Sequence, residues 1–416
     1  MKWRRALTVL LICLAALEIA RSLGRLDRVI FATYVDVGNV VLEGGDPYGP
    51  RFTTWPALNT WPPFFLFIAA GLALLARLSF GGALLLWQVG CVAAIWGSCR
   101  LLARLAGERP PPFASAATLV PVLMTARLFQ EHLQHTQVNL YLFLLVLLAF
   151  HLFRQRRDGW GGLALAAAAS AKAVPIVFLP YLLYKRAWRA AAWTAGFLVV
   201  LNVVLPLAVF GPARTAQHWR VWRDVAALET ADPTPHYMNQ SLLAAMKRLL
   251  TTEGGASDPV RYAIASWPTS RVVTAFYLLA TLGALGLAFA FRRHPPGLHG
   301  PPGAPPFLAA ELAVCLAAMP LVSPLAWKAH FVTLLAGYWL IWRAIGGRIA
   351  WGVWWASFAC LTLSAPALLG ERFKNVLESV NVITVGALLV VGLALWAALR
   401  PLPLLPPASS ATRSAP

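Results

Sequence analysis

Acidic residues are scarce in this chain. Sixteen Asp and Glu stand against 35 Lys and Arg, and charged residues make up 12% of the 416 positions. So little charge, with 59% hydrophobic residues where a soluble domain carries about 45–50%, excludes an ordinary water-soluble fold. Cysteine is also sparse: Cys13, Cys91, Cys99, Cys315 and Cys360 fall in or beside apolar runs. Their spacing argues against a zinc site, and as buried free thiols they carry no information on redox compartment. Strict apolar–polar alternation is missing, which argues against a membrane β-barrel. No internal repeat is visible, and no stretch resembles a nucleotide-binding site.

What fills the chain is Leu- and Ala-rich apolar runs, with a mean hydropathy of +0.65. About 20 helical residues cross a bilayer, and a helix satisfies its own backbone in lipid. The expected class is therefore all-α: a polytopic membrane protein with a bundle of about ten to twelve spanning helices, outer-face loops and short re-entrant helices. The net charge of +19 would suggest nucleic acid in a soluble protein. Here the basic residues cluster at segment ends, as the positive-inside rule predicts, so the lipid bilayer is the expected partner and nucleic acid is not.

In chain order, Lys2, Arg4 and Arg5 precede an apolar run from Ala6 to Ala20. Glu18 and Arg21 follow without a small-residue cleavage pattern, so this reads as an uncleaved first helix with a cytoplasmic N-terminus. Residues 31–65 read as a polar, turn-rich outer loop with three acids, Asp36, Glu43 and Asp46. Trp61-Pro62-Pro63 opens the second span, and Gly82 to Leu102 forms the third. The clusters at Arg100–Arg109 and Arg154–Arg157 cannot both be cytoplasmic if every segment between them crosses fully. Phe113 to Arg127 is accordingly expected as a short non-spanning helix, leaving His132 to Asn139 outside.

Gly161 to Tyr184 is interrupted by Lys172, Pro175 and Pro180 and reads as two half-helices entering from the cytoplasmic side. After a span ending near Phe210, residues 211–270 read as a long outer loop. A further span ends at Arg292 and Arg293, ahead of a cytoplasmic Pro/Gly linker at 294–306. Spans at Phe307–Val322, Phe331–Trp342, Ile349–Leu369 and Val382–Leu399 follow, then a tail at 401–416 expected to be disordered and cytoplasmic. Residues 1–400 are expected to form a single transmembrane domain.

Polar residues collect on the predicted outer face. They are Asp36, Asp46, Tyr48 and Trp61 from the first loop; Gln137 and Asn139 from HLQHTQVN; His218, His236, Asn239 and Gln240 from the long loop; and Ser323, Trp327, Lys328 and His330 from SPLAWKAH. Acids, amides, histidines and lysines at one membrane face suit a polar ligand with an anionic part, such as a sugar or a lipid phosphate.

Taken together, the early Asp36, GDPY, WPPF, the Q-x-N element, KAVPIVFLPYLLYKRAWR, N-Q-S and S-P-x-x-W-x-x-H resemble glycosyltransferase family 87 of the GT-C superfamily. That family contains polyprenyl-phosphate-mannose-dependent α-1,2-mannosyltransferases of actinobacterial envelopes, and the resemblance runs from Thr33 to His330. It implies inverting transfer of a hexose, mannose first, from a polyprenyl-phosphate sugar donor to a glycolipid or glycan acceptor, on the outer side of the bacterial cytoplasmic membrane. Asp36 matches the family's first-loop acid and would act as general base. His330 and Lys328, with Arg51 behind them, are the candidates to stabilise the leaving phosphate. No cofactor and no metal are expected. Two departures stand out: Thr136 precedes Gln137 where a glycine is expected, and Lys328-Ala329-His330 replaces a more usual acid and second histidine.

Each residue also has a plainer reading. Asp36 could cap a helix, Asp46-Pro47-Tyr48 is turn chemistry, and Glu43 reads as solvated. Gln137 and Asn139 could pair neighbouring backbone, Asn239 and Gln240 could cap the helix that Ser241 begins, and Lys172 could snorkel to the cytoplasmic surface. His218 and His236 lack ligand spacing, and most tryptophans belong to interface belts. Two rival functions remain open on the sequence. A transporter or flippase of a lipid-linked sugar would use the broken helices and Lys172 as a pathway. A pseudoenzyme scaffold would lose nothing when Asp36 became Asn.

Overall fold

A run of apolar residues longer than a bilayer is thick folds as a helix, because no other element satisfies its backbone in lipid. The computed structural model describes residues 2–26, 30–48, 59–231, 236–252, 259–298 and 307–400. Among them the regular structure is helical, without strands, and the chain is an all-α polytopic membrane protein.

The N-terminal half runs α1 (Lys2–Leu23), α2 (Ile30–Leu42), α3 (Phe65–Leu78), α4 (Phe80–Leu105), α5 (Ala116–Met124), α6 (Ala126–His135), α7 (Asn139–Arg154), α8 (Asp158–Ala171) and α9 (Phe178–Tyr184). The remainder comprises α10 (Trp188–Val199), α11 (Leu205–Ala231), α12 (Leu242–Leu250), α13 (Thr269–Ala290), α14 (Phe307–Val322), α15 (Leu334–Ala344), α16 (Arg348–Leu363), α17 (Pro366–Ser379) and α18 (Val382–Ala398).

Among the described residues, four helices are long and apolar enough to cross a membrane alone, or six if each sharply bent pair counts as one span. The expectation of ten or more counted apolar runs. Several of those runs are broken, which leaves helices of 10–17 residues. The region between Arg100 and Arg157 shows how breaks divide an apolar run. In place of one helix over Phe113–Arg127 there are two, α5 and α6, parted at Thr125, and α6 meets α7 at 118°. Likewise α16 and α17 meet at 86° where a single span over Ile349–Leu369 was expected.

Residues 31–65 are not a loop throughout. Phe31, Tyr34, Val35, Val37 and Gly38 recur at helical spacing and are buried on one face of α2, which packs against α3. Gly38 permits that crossing, since a Cβ there would lie 2.0 Å from the Ala69 carbonyl oxygen. The expected long outer loop also holds helix. A π-turn at Val200–Val204 and a break at Gly211 (φ 75°) and Pro212 turn α11 aside, and it continues to Ala231. Arg51, residues 299–306 of the linker and the tail at 401–416 lie outside the described residues.

Small residues set the position of α8. A Cβ at Gly161 would stand 2.4 Å from the Phe153 ring in α7, and one at Gly162 would stand 2.7 Å from Trp193 in α10. The helix is thus wedged between two neighbours, as small residues allow in membranes. It ends at Lys172, whose backbone is extended (φ −153°, ψ 122°), before a 3₁₀ turn over Val174–Val177. The two-piece reading of Gly161–Tyr184 therefore matches the fold.

Candidate active site

Thr136 is the joint on which the site is assembled. It sits in the left-handed region (φ 53°, ψ 41°) and closes α6, which gives a physical reason for glycine to be favoured there. In this chain threonine is held by its own bonds. Its hydroxyl donates to the His135 carbonyl at 2.7 Å and accepts from the Phe31 amide at 2.9 Å, and its carbonyl accepts from Trp87 Nε1 at 3.1 Å. The start of α2 is thereby tied to the segment that leads into Gln137 and Asn139.

Asp36 follows on α2, on the side away from the aromatic packing of Tyr34 with Trp61, Phe65 and Trp87. It is half-buried and has no hydrogen bond or ion pair among the described residues. The 13-residue α2 is too short to span, and partial burial raises the Asp36 pKa above that of a free carboxyl. An unpaired carboxylate of raised basicity can accept a proton.

Beyond the joint, polar side chains from three parts of the chain converge. Asn139, buried at the start of α7, donates from Nδ2 to Gln137 Oε1 (3.0 Å) and to the Ala329 carbonyl (3.2 Å). Its Oδ1 accepts from Lys172 Nζ at 2.9 Å. Lys172 Nζ also lies 2.7 Å from His330 Nε2, and His330 Nδ1 accepts from the Trp327 amide at 3.2 Å. Lys172 therefore does not snorkel to a surface. The extended backbone at the break projects its amine into this cluster.

The other residues expected at the site play supporting parts. Asp46 Oδ1 accepts from the Tyr48 amide (3.0 Å), an Asx turn, and the Tyr48 hydroxyl donates to the Trp61 carbonyl (2.9 Å). The helix after the N-Q-S element is capped by Ser241, whose hydroxyl accepts from the Ala244 amide. Asn239 instead holds the SPLAW loop, donating to the Pro324 carbonyl (3.1 Å) and accepting from the Ala326 amide (3.0 Å). Gln240 donates to the carbonyls of Tyr237 and Glu378, and Ser323 to that of Leu325. Trp327 is exposed, with its ring stacked over His236.

Lys328 is occupied. Only 2% exposed, its Nζ lies 2.7 Å from Glu378 Oε1 and 3.3 Å from Glu131 Oε1, while Arg127 pairs with the other Glu131 oxygen at 2.7 Å. Arg127 and Lys328 meet Glu131 and Glu378, with His135 Nε2 a further 3.3 Å from Glu131 Oε1, and this pins the Lys328–Thr333 turn that carries His330 between α6 and α17. Sequence reading missed Glu131 and Glu378. The available signal was the scarcity of acids itself, since a carboxylate in so apolar a chain must find a partner.

Comparison with known proteins shows the family. The sequence profile of glycosyltransferase family 87 matches residues 59–324. A Mycolicibacterium smegmatis protein, a polyprenol-phosphate-mannose-dependent α-(1-2)-phosphatidylinositol pentamannoside mannosyltransferase, is 29% identical over 80% of this chain and 73% of its own length. A Mycobacterium tuberculosis protein of the same description is 28% identical over 53% of this chain and 49% of its own. With the family profile spanning more than half of its length, this membrane enzyme belongs to glycosyltransferase family 87.

Proposed function

We propose that the enzyme transfers mannose from a polyprenyl-phosphate donor to a hydroxyl of a lipid-anchored mannoside, with inversion, at the outer side of the bacterial cytoplasmic membrane. Both relatives are described as depending on polyprenol-phosphate-mannose and as acting on a phosphatidylinositol mannoside, which supports the donor and acceptor classes. Basic clusters at the expected cytoplasmic ends support the sidedness and a cytoplasmic N-terminus.

In the reaction the acceptor oxygen bonds to the anomeric carbon as the bond from that carbon to the phosphate oxygen breaks, and its electron pair leaves with the phosphate. The acceptor proton goes to Asp36. The observation that carries this assignment is the half-buried Asp36 carboxylate, unpaired among the described residues, on a helix tied at its first turn to the polar cluster. General-base catalysis contributes typically 10²–10⁴-fold. His330 is assigned to the departing phosphate because it stands in the polar cluster with Asn139 and Lys172, whereas the ion pairs of Lys328 favour a role in holding that turn. A protein-bound metal is not part of the proposal, and excess chelator should leave the rate unchanged.

The test is transfer of radiolabelled mannose from polyprenyl-phosphate-mannose to lipid acceptors, comparing wild type with Asp36→Asn at matched expression. Transfer by wild type with a loss of about 10²-fold or more in the variant is the expected result. Equal rates would remove Asp36 as base, and no transfer by wild type would remove the donor.

A further inference from the structure

Among the described residues, two groups of buried cations near the site are answered by carboxylates. Next to the SPLAW turn, Arg127 and Lys328 are met by Glu131 and Glu378. Lys185, at the other end of the same broken span, pairs with Glu311 at 3.0 Å. Among the described residues Lys172 has no carboxylate within ion-pair distance. Its two polar neighbours are an amide oxygen and an imidazole nitrogen, neither of which supplies negative charge. With His330 Nδ1 accepting from the Trp327 amide, the ring proton lies on Nε2, so the Asn139 oxygen is the acceptor that Lys172 bonds, and an ammonium with three N–H donors keeps others for a ligand.

A cation removed from bulk water without a counter-ion is costly, and it is retained most readily where an anion will meet it. The chemistry proposed above creates such an anion, because the phosphodiester carries one negative charge before transfer and the released monoester gains a second. The surroundings of Lys172 suit a lipid-borne phosphate. Ala173, Ile176 and Pro180, which follow the break, are exposed apolar residues leading away from the amine along the 3₁₀ turn and α9.

We propose that Lys172 is the cationic seat of the donor's phosphoryl group, with Asn139 aiming its amine. This rests on the donor class proposed above. Lys172 meets the phosphate in the donor and again in the polyprenyl phosphate left after transfer, while the acceptor proton goes to Asp36. The seat therefore acts on donor binding and on the departing group, not on the acceptor.

The test is binding of decaprenyl phosphate to the purified full-length protein in detergent micelles, followed by tryptophan fluorescence and independent of turnover. Wild type and Asp36→Asn should bind alike, and Lys172→Met should bind about tenfold or more weakly. Lys172→Gln, which keeps a polar donor at the break without the charge, should weaken binding to the same degree; this variant keeps the test alive if Lys172→Met fails to fold. Undiminished binding in both variants overturns the proposal. Inorganic phosphate should compete only at far higher concentration, and equal potency would overturn the lipid-phosphate assignment in favour of a free-phosphate site. If wild type transfers no mannose yet binds decaprenyl phosphate through Lys172, the proposed reaction fails and the seat stands. If transfer proceeds while binding ignores Lys172, the seat fails alone.

Discussion

Two lysines flank the broken span between α8 and α10, and they meet opposite fates. Lys185 is 3% exposed and fully answered: Nζ lies 3.0 Å from Glu311 Oε1 and donates to the Pro295 carbonyl at 2.8 Å. Glu311 also takes the Tyr181 hydroxyl and stands 2.7 Å from His294 Nδ1, and the Gly297 amide bonds the Lys185 carbonyl at 2.6 Å. Thus 294–298 of the Pro/Gly linker is fastened to α9 and α14. Lys172, only half-buried, has an amide and an imidazole for company. The difference separates structure from function. A buried charge met by a fixed counter-charge is a fastening, whereas one left for a neutral shell is waiting for a ligand.

The contrast breaks most visibly at Glu311. Glu311→Ala leaves Lys185 as a buried cation without its carboxylate and should destabilise by about 3–5 kcal/mol, read as a large drop in thermal-unfolding midpoint in detergent. A change below about 1 kcal/mol would mean that the pair is not a fastening.

Next in size is Gly38→Ala, which drives a methyl into the Ala69 carbonyl across the α2–α3 crossing. Because backbone must move, the cost should reach at least the usual overpacking range of about 1–3 kcal/mol, and transfer should fall with it as Asp36 shifts. An unchanged midpoint would show that the helices separate freely.

Lys172→Met should alter stability by less than about 1 kcal/mol, since no carboxylate is left unpaired. A loss as large as that of Glu311→Ala would show Lys172 to be a second fastening and erase the contrast.

The smallest effect concerns Asp36. Its raised pKa means that, as a base, it loses activity on acidification at a higher pH than an exposed carboxyl near 4. The stability sign is opposite to that of a salt-bridged acid. The folded state holds the Asp36 proton to higher pH than the unfolded chain does, so ionising it weakens the fold as pH rises through the folded pKa. Asp36→Asn should therefore be at least as stable as wild type at neutral pH, and a less stable variant would expose a hidden partner.

How much was legible beforehand can be argued from particular residues. Asp36, Gln137, Asn139 and His330 stand out because polar residues are conspicuous in lipid-soluble sequence, and three of the four converge at the site. Lys172 was conspicuous too, but its direction was not. Snorkelling and inward projection differ in the backbone at the end of α8, where Lys172 is extended. Lys328 carries the opposite lesson. Beside a histidine in an outer motif it reads as a phosphate ligand, yet Glu378, 50 residues away, pairs with it.

The sequence by itself determined the solvent, the helical class and the family, because these follow from average hydropathy and from short motifs whose residues are neighbours in the chain. Which lysine is answered and which is left over was decided only by tertiary structure. Ion pairing depends on distances of about 3–4 Å, and the partners here lie far apart in sequence, 126 positions for Lys185 with Glu311 and 158 for Lys172 with His330. No local pattern encodes such meetings; packing of helices does.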